Sequence, residues 1–166
     1  MKKTALYSWI FVAFLILIVI IGSLSEDNNI DESLPDKEYF TQLLTNKIEK
    51  LSSNTVFKKL QYEDGYPYMT IEYEYSQCVS SCKNEINKQV AKIYAELSNV
   101  KDRLKATKIS TSIDIWVYTN FVDENNNKKS LVAARYSVPI ENFYDINFNN
   151  HDNMEKYSKF FHKALD

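Results

Sequence analysis

The sequence predicts an α+β protein, in which an N-terminal transmembrane helix precedes one α-β-α-β-β-α domain with a small mixed three-stranded sheet packed by helices. Three observations predict it. Residues 5–24 form a run without a charge, residues 86–104 carry apolar side chains at helical spacing, and residues 109–121 alternate with a period of two. A transmembrane helix, an amphipathic helix and a strand are the structures typical of these three patterns.

The uncharged run predicts a membrane anchor. Twenty residues at about 1.5 Å each span roughly 30 Å, the thickness of the hydrocarbon core of a bilayer. Lys2 and Lys3 precede the run and favour a cytoplasmic N-terminus, so the rest of the chain is expected outside the cytoplasm, in the periplasm or at the cell surface. The predicted protein is thus single-pass, with residues 1–24 as its anchor in the cytoplasmic membrane.

A cleaved secretory signal is the alternative interpretation of the same segment. Ser23 and Ser25 flank Leu24 in a small-x-small pattern that suits signal cleavage, which would leave a secreted periplasmic protein. The length of the apolar run favours the retained anchor, because signal peptides carry only about 7–15 apolar residues. Residues 25–35, acidic and unpatterned, are predicted to be a polar spacer, and residues 36–166 one extracytoplasmic domain.

Within the domain the hydrophobic period changes several times. The predicted elements are a helix over 36–51, a strand over 69–75, a helix over 86–104, strands over 109–121 and 131–138, and a helix over 154–165 with a cap at Asn150 or Asp152. Val56, Phe57 and Leu60 suit a second, short helical stretch. It would either continue the first helix or follow an interruption at residues 52–54. The helix between the first two strands is long enough for a parallel crossover, which makes the sheet mixed.

One face of this sheet is expected to remain open. It carries Trp116 and Tyr118 beside Asp114 and Arg135, and only the C-terminal helix or a partner would cover it. Tyrosine and tryptophan combine contact area with a polar tip, which suits an interface. The interface candidates are Tyr66, Tyr68, Trp116, Tyr118 and Arg135, although the aromatic residues would equally suit a covered sheet.

Cys78 and Cys82 are the only cysteines in the sequence. Outside the cytoplasm two cysteines four residues apart predict a structural disulfide at the corner between strand and helix. A thiol-redox pair is the alternative, but three residues separate these cysteines where redox motifs have two.

Other chemistry is poorly represented. The chain has two histidines and two glycines, and it shows no spacing typical of metal ligands or phosphate loops, so no metal, cofactor or catalytic residue is expected. Glu72 and Glu74 share a strand face and would be the acidic pair of an envelope enzyme, if there is one. A net charge of −2 and a pI near 5.8 argue against nucleic acid.

The expected function is therefore protein binding. Over residues 66–165 the element order resembles the βαββα interaction modules of bacterial envelope machines, such as the ring-building and ferredoxin-like domains of secretion, pilus and sporulation assemblies. The resemblance implies an assembly component that contacts an envelope protein, and an inhibitor of the immunity type is the other binding function expected. Self-association into a homo-oligomer is compatible with the same surface.

Overall fold

One mixed five-stranded sheet forms the centre of the structure. This computed structural model describes residues 30–63, 66–76, 82–122 and 128–162. The chain divides into two units, Met1–Ile30 and Asp31–Asp166, and all the elements below belong to the second. In chain order they are α1 (Asp36–Glu49), β1 (Thr55–Gln61), β2 (Tyr68–Tyr75), α2 (Lys83–Asn99), α3 (Lys101–Ala106), β3 (Ser112–Val122), β4 (Lys128–Pro139), α4 (Ile140–Phe143), a 3₁₀ helix (His151–Tyr157) and β5 (Ser158–Phe161).

The strands lie in the order β1-β2-β3-β4-β5 across the sheet. β2 and β3 are parallel and are connected through α2 and α3, whereas the other neighbouring pairs are antiparallel. Successive side chains of a strand point to opposite faces, so each strand contributes to both. One row of paired residues, called the central row below, crosses all five strands and consists of Lys59, Glu72, Trp116, Arg135 and Phe160.

The inner face of the sheet packs against the helices and supplies much of the core. Its buried side chains on the three central strands include Met69, Ile71, Tyr73, Ile113, Ile115, Val117, Tyr136 and Val138. Helix α2 covers them with a stripe at helical spacing, formed by Ile86, Val90, Ile93 and Leu97. Apolar burial on this face supplies the main driving force for folding of the domain.

Three buried tyrosines add hydrogen bonds between α2 and the sheet. The Tyr73 hydroxyl donates to Gln89 Oε1 at 3.2 Å, and the Tyr136 hydroxyl donates to Asn87 Oδ1 at 2.7 Å. Tyr94, on α2 itself, donates to a main-chain carbonyl of β3 at 3.0 Å. Burial raises the pKa of all three tyrosines, so their hydroxyls stay protonated and remain donors.

The prediction of a three-stranded sheet is wrong, because β1 and β5 extend it to five strands. In β1 the spacing of Val56 and Leu60 resembles a helix, but both residues belong to an edge strand. The strand contains a bulge between Phe57 and Lys59, which breaks the period of two that identifies a strand. The predicted order α-β-α-β-β-α therefore lacks an edge strand at each side of the sheet.

The predicted C-terminal helix over 154–165 is also wrong within the described residues. Asn150 caps the 3₁₀ helix, because its side chain accepts a hydrogen bond from the backbone N–H of Asp152 at 3.2 Å. That helix ends at Tyr157, and the chain continues as β5 alongside β4. The adjacent aromatic residues Phe160 and Phe161 are frequent in strands.

The predicted membrane localisation also requires correction. The structure shows no helix that is both long and apolar enough to cross a bilayer anywhere in the part of the chain that it describes. The predicted anchor over residues 5–24, and the cleavage site proposed as its alternative, lie outside the described residues. A transmembrane helix, a single-pass topology and a signal-anchor are consequently not supported.

Arg103, on α3, holds the segment that precedes α1. Its Nε donates to Asp36 Oδ1 at 2.9 Å, one terminal nitrogen donates to the Glu32 carbonyl at 2.8 Å, and the other donates to the Leu34 carbonyl. The guanidinium also stacks 3.9 Å from the centre of the Tyr39 ring. A planar guanidinium with donors in a fixed fork is suited to this combination of bonds.

Replacing Tyr136 by phenylalanine tests the contribution of the buried tyrosine bonds. We expect Tyr136→Phe to lower the free energy of unfolding by about 1–2 kcal/mol, because the buried Asn87 oxygen loses its donor. Urea unfolding of the full chain measures the change. Tyr157→Phe is the control, since that half-buried hydroxyl has no hydrogen bond among the described residues. Equal unfolding midpoints for Tyr136→Phe and the parent would contradict the assignment.

Candidate interaction face

The face of the sheet opposite the helices, called the outer face below, carries polar and aromatic side chains. On the three central strands its members are Thr70, Glu72, Glu74, Asp114, Trp116, Tyr118, Asn120, Arg135 and Ser137. Within the described residues no helix packs on this face. The predicted C-terminal helix was one possible cover for this face. The 3₁₀ helix found in that part of the chain packs on α2 instead, where Lys83 and Glu155 form an ion pair at 2.5 Å.

An arginine stacked on a tryptophan lies in the central row. The guanidinium carbon of Arg135 is 4.0 Å from the centre of the Trp116 ring, within the range of a cation–π contact. Trp116 is half-buried in the sheet and Arg135 is exposed. The next residue of the row is Phe160 on β5, whose side chain is 44% exposed. Together these three side chains form a patch that is both aromatic and cationic.

Glu74 is the most strongly paired carboxylate of the outer face. One carboxylate oxygen is 2.5 Å from Lys58 Nζ, and the other accepts a hydrogen bond from the Asn120 side-chain amide. The bond to Lys58 holds the pKa of Glu74 below its usual value. The Lys58 ammonium also lies 5.9 Å from the centre of the Tyr118 ring. Glu74 is thus an ionised, anchored group.

Glu72 and Glu74 share one face, as expected for the acidic pair of an envelope enzyme. Their bonding partners, however, do not suit a pair that transfers protons. A general acid needs a raised pKa, whereas that of Glu74 is lowered. Glu72 accepts a hydrogen bond from the Gln61 side-chain amide at 2.9 Å. Partial burial and the nearby Glu72 carboxylate raise the pKa of Tyr118, so its hydroxyl remains a donor. The arrangement supports recognition better than proton transfer.

Tyr66 and Tyr68 lie at the end of the outer face where β2 begins. Their rings meet edge to face with centres 5.1 Å apart, and both side chains are exposed. They border a cavity of about 210 Å³ next to the edge strand, lined by Lys37, Lys59, Leu60, Gln61, Tyr62, Glu63, Tyr66 and Tyr68. The cavity therefore lies at the β1 edge of the sheet, with α1 on one side and the two tyrosines on the other.

The structure brings the five interface candidates together on one side of the sheet. Tyr68 belongs to β2, Trp116 and Tyr118 to β3, and Arg135 to β4, while Tyr66 precedes β2 and contacts Tyr68. The alternation of the strands places the four strand residues there, because every second residue of a strand points to the same face. That a partner contacts them stays a prediction.

Three residues of this surface were missed by the sequence analysis. Lys58 and Lys59 lie on β1, and Phe160 lies on β5, the two strands that the sequence did not reveal. The signal available in the sequence was the composition of the segments, since Thr, Val and Phe in β1 and paired Phe in β5 are frequent in strands. Their register with the central strands follows only from the sheet.

Cys82 precedes the first turn of α2, at its N-cap position, and is disulfide-bonded. Cys78, the other cysteine of the sequence, lies outside the described residues, so the pairing of the two stays a prediction. Cys82 itself is buried, with 6% of its surface exposed. A buried sulfur is a poor nucleophile, which favours the structural role over redox exchange.

Histidine, cysteine and carboxylate side chains are the usual protein ligands of metal ions. In the described ranges no three or more of them are placed to hold one ion. His151 lies 3.6 Å from Asp152, and the His162 ring meets the Phe160 ring with centres 6.4 Å apart. The two histidines therefore belong to separate local contacts.

Comparisons with known protein families, with curated proteins and with solved structures find no match for this chain.

The pH dependence of stability tests the pairing of Glu74. A lowered pKa in the folded state stabilises the fold above the unfolded value near 4.5, and this contribution is lost as the pH falls through the folded pKa. We expect Glu74→Gln to be less stable than the parent at pH 7 and the difference to shrink below pH 4.5. Urea unfolding between pH 7 and pH 3 measures it.

The matched control is Glu141→Gln, on α4. Its carboxylate is exposed and has no ion pair in the described part of the chain. Its stability relative to the parent should change little over the same range. A Glu74→Gln deficit that persists unchanged to pH 3 would show that the pair does not titrate as the structure implies.

Proposed function

We propose that the domain is a protein-binding module and that the outer face is its contact surface. The observation that carries this proposal is the difference between the two faces of the sheet in what covers them. The helices bury the inner face, whereas the outer face keeps a stacked Trp116 and Arg135 with no helix on it in the described residues. Tryptophan, tyrosine and arginine are the residues that dominate binding energy at protein interfaces.

The contacts within the outer face also support binding. Trp116 is ordered by the Arg135 stack and Glu74 by Lys58, so few of these side chains would lose much freedom when a partner docks. Ordered side chains reduce the entropic cost of association, which is of the order of 1 kcal/mol for each long side chain that must be fixed. The polar groups around the aromatic rings resemble the rim of an interface.

Site-specific photocrosslinking in intact cells tests the proposal. The full chain carries the photoreactive p-benzoylphenylalanine at Tyr118, or at Tyr144 as a control. Both positions are half-buried aromatic residues, but Tyr144 lies on the helix side, under Lys105 at 4.8 Å. We expect one discrete protein adduct from position 118 and none from position 144. A second copy of this chain in the adduct would identify the interaction as self-association.

The affinity of the identified protein then gives the second measurement. Trp116→Ala should weaken binding at least tenfold, because a central tryptophan contributes more than about 1.4 kcal/mol at most interfaces that use one. Tyr144→Ala should bind as the parent does. An adduct only from position 144, or an unchanged affinity for Trp116→Ala, would remove the outer face as the contact surface.

A further inference from the structure

The charges of the outer face indicate which kind of segment it binds, an inference that rests on the proposed function. We propose that the partner presents an acidic segment of its chain, with one carboxylate bound to Arg135 and a second near Lys59. The two cations lie in the central row, on β4 and β1. The proposal therefore specifies both the charge of the partner segment and the direction in which it crosses the sheet.

In the described part of the chain Arg135 has a stacking partner but no ionic one. Trp116 occupies one face of its guanidinium, and within the described residues no carboxylate lies at ion-pair distance from it. A contact through the flat face of a guanidinium does not use its in-plane N–H donors. A fork of donors in this geometry matches a carboxylate in bidentate fashion.

The carboxylates closest to Arg135 in the sheet are bonded to other groups. Asp114 accepts a hydrogen bond from the Ser137 hydroxyl at 2.6 Å, and Glu72 accepts from the Gln61 amide at 2.9 Å. These cross-strand bonds engage one oxygen of each acid, and in the described residues neither acid lies at ion-pair distance from the guanidinium. A partner carboxylate would complete the hydrogen bonding of Arg135, at a site that the fold has already ordered.

Lys59 supplies the second charge of the row. It is exposed, borders the cavity beside Tyr66 and Tyr68, and has no ion pair among the described residues. Three strand spacings separate it from Arg135, which amounts to about 14 Å. An extended chain covers about 13 Å in four residues, and residues four apart point the same way. Acidic residues four apart therefore fit the row.

A single acidic segment fits better than a polyanion such as nucleic acid. Glu72, Glu74 and Asp114 are interspersed with the cations, so the outer face is not a continuous basic surface. Nucleic-acid surfaces need clustered positive charge to neutralise successive phosphates. Isolated carboxylates can be met one at a time by Arg135 and Lys59, between acids that would repel a phosphate chain.

The test is an NMR titration of the ¹⁵N-labelled full chain with three probes. The first is a nonapeptide of serine with leucine at position 5 and glutamate at positions 3 and 7. The second has glutamine in place of both glutamates, and the third is a twelve-residue oligothymidylate. We expect the glutamate peptide alone to shift the Trp116 indole and Arg135 Nε resonances, and 0.5 M salt to reduce its affinity several-fold.

Two variants test whether the resonance shifts arise from binding of the peptide to Arg135. Arg135→Gln removes the positive charge but keeps a polar side chain, and it should lower the affinity for the glutamate peptide at least fivefold, with the spectrum of the fold otherwise unchanged. Lys105→Glu is the control, because it removes a cation over an aromatic ring on the helix side. Its affinity should equal that of the parent.

The outcomes separate this inference from the proposed function. Any one of four results would overturn the proposal that the partner segment is acidic. They are equal binding of the glutamate and glutamine peptides, preferential binding of the oligothymidylate, no shift with any probe, and unchanged binding by Arg135→Gln. If, in addition, Trp116→Ala still weakens the crosslinked protein partner, the outer face remains the contact surface and only the chemistry assigned to the partner fails. If neither substitution affects that partner, both proposals fail.

Discussion

The hydrogen bonds of the buried tyrosines determine how the domain is layered. Tyr73 and Tyr136 extend from the sheet to amide side chains of α2, and Tyr94 extends from α2 to the main chain of β3. A buried hydroxyl is costly unless it is bonded, so these contacts restrict how α2 can shift or rotate over the inner face. With α2 held there, the other helices pack on the same side, and the outer face is left to polar and aromatic residues.

The outer face is stable without a covering layer because its polar groups are largely bonded to one another. Lys58 and Asn120 bind Glu74, Gln61 binds Glu72, and so each carboxylate has a donor from a neighbouring strand. Cross-strand pairs of this kind contribute to the pairing of strands as well as to solubility. Aromatic rings on such a face can stay partly exposed without forming a continuous apolar patch.

Sequence patterns revealed the centre of the sheet and missed its edges. In β3 and β2 strict alternation places apolar side chains inward, and this gave the positions of Trp116 and Tyr118 on the outer face. In β1 a bulge disrupts the alternation, and β5 has only four residues, too few to establish a period. The position of Phe160 on the outer face therefore follows only from its pairing with Arg135 in the sheet. Pairing across strands is a tertiary property that local periodicity does not encode.

The hydrogen bonds of Arg103 have a mechanical consequence. Its bonds to the carbonyls of Glu32 and Leu34 attach the chain to α3 just before α1 begins. Tension applied to the chain ahead of Asp31 therefore acts on these bonds before it reaches the first turn of α1. The bonds from Arg103 to Glu32 and Leu34 must break before the helix that begins at Asp36 can unwind from that end. The first turn of α1 is thus protected by a contact that lies outside the helix.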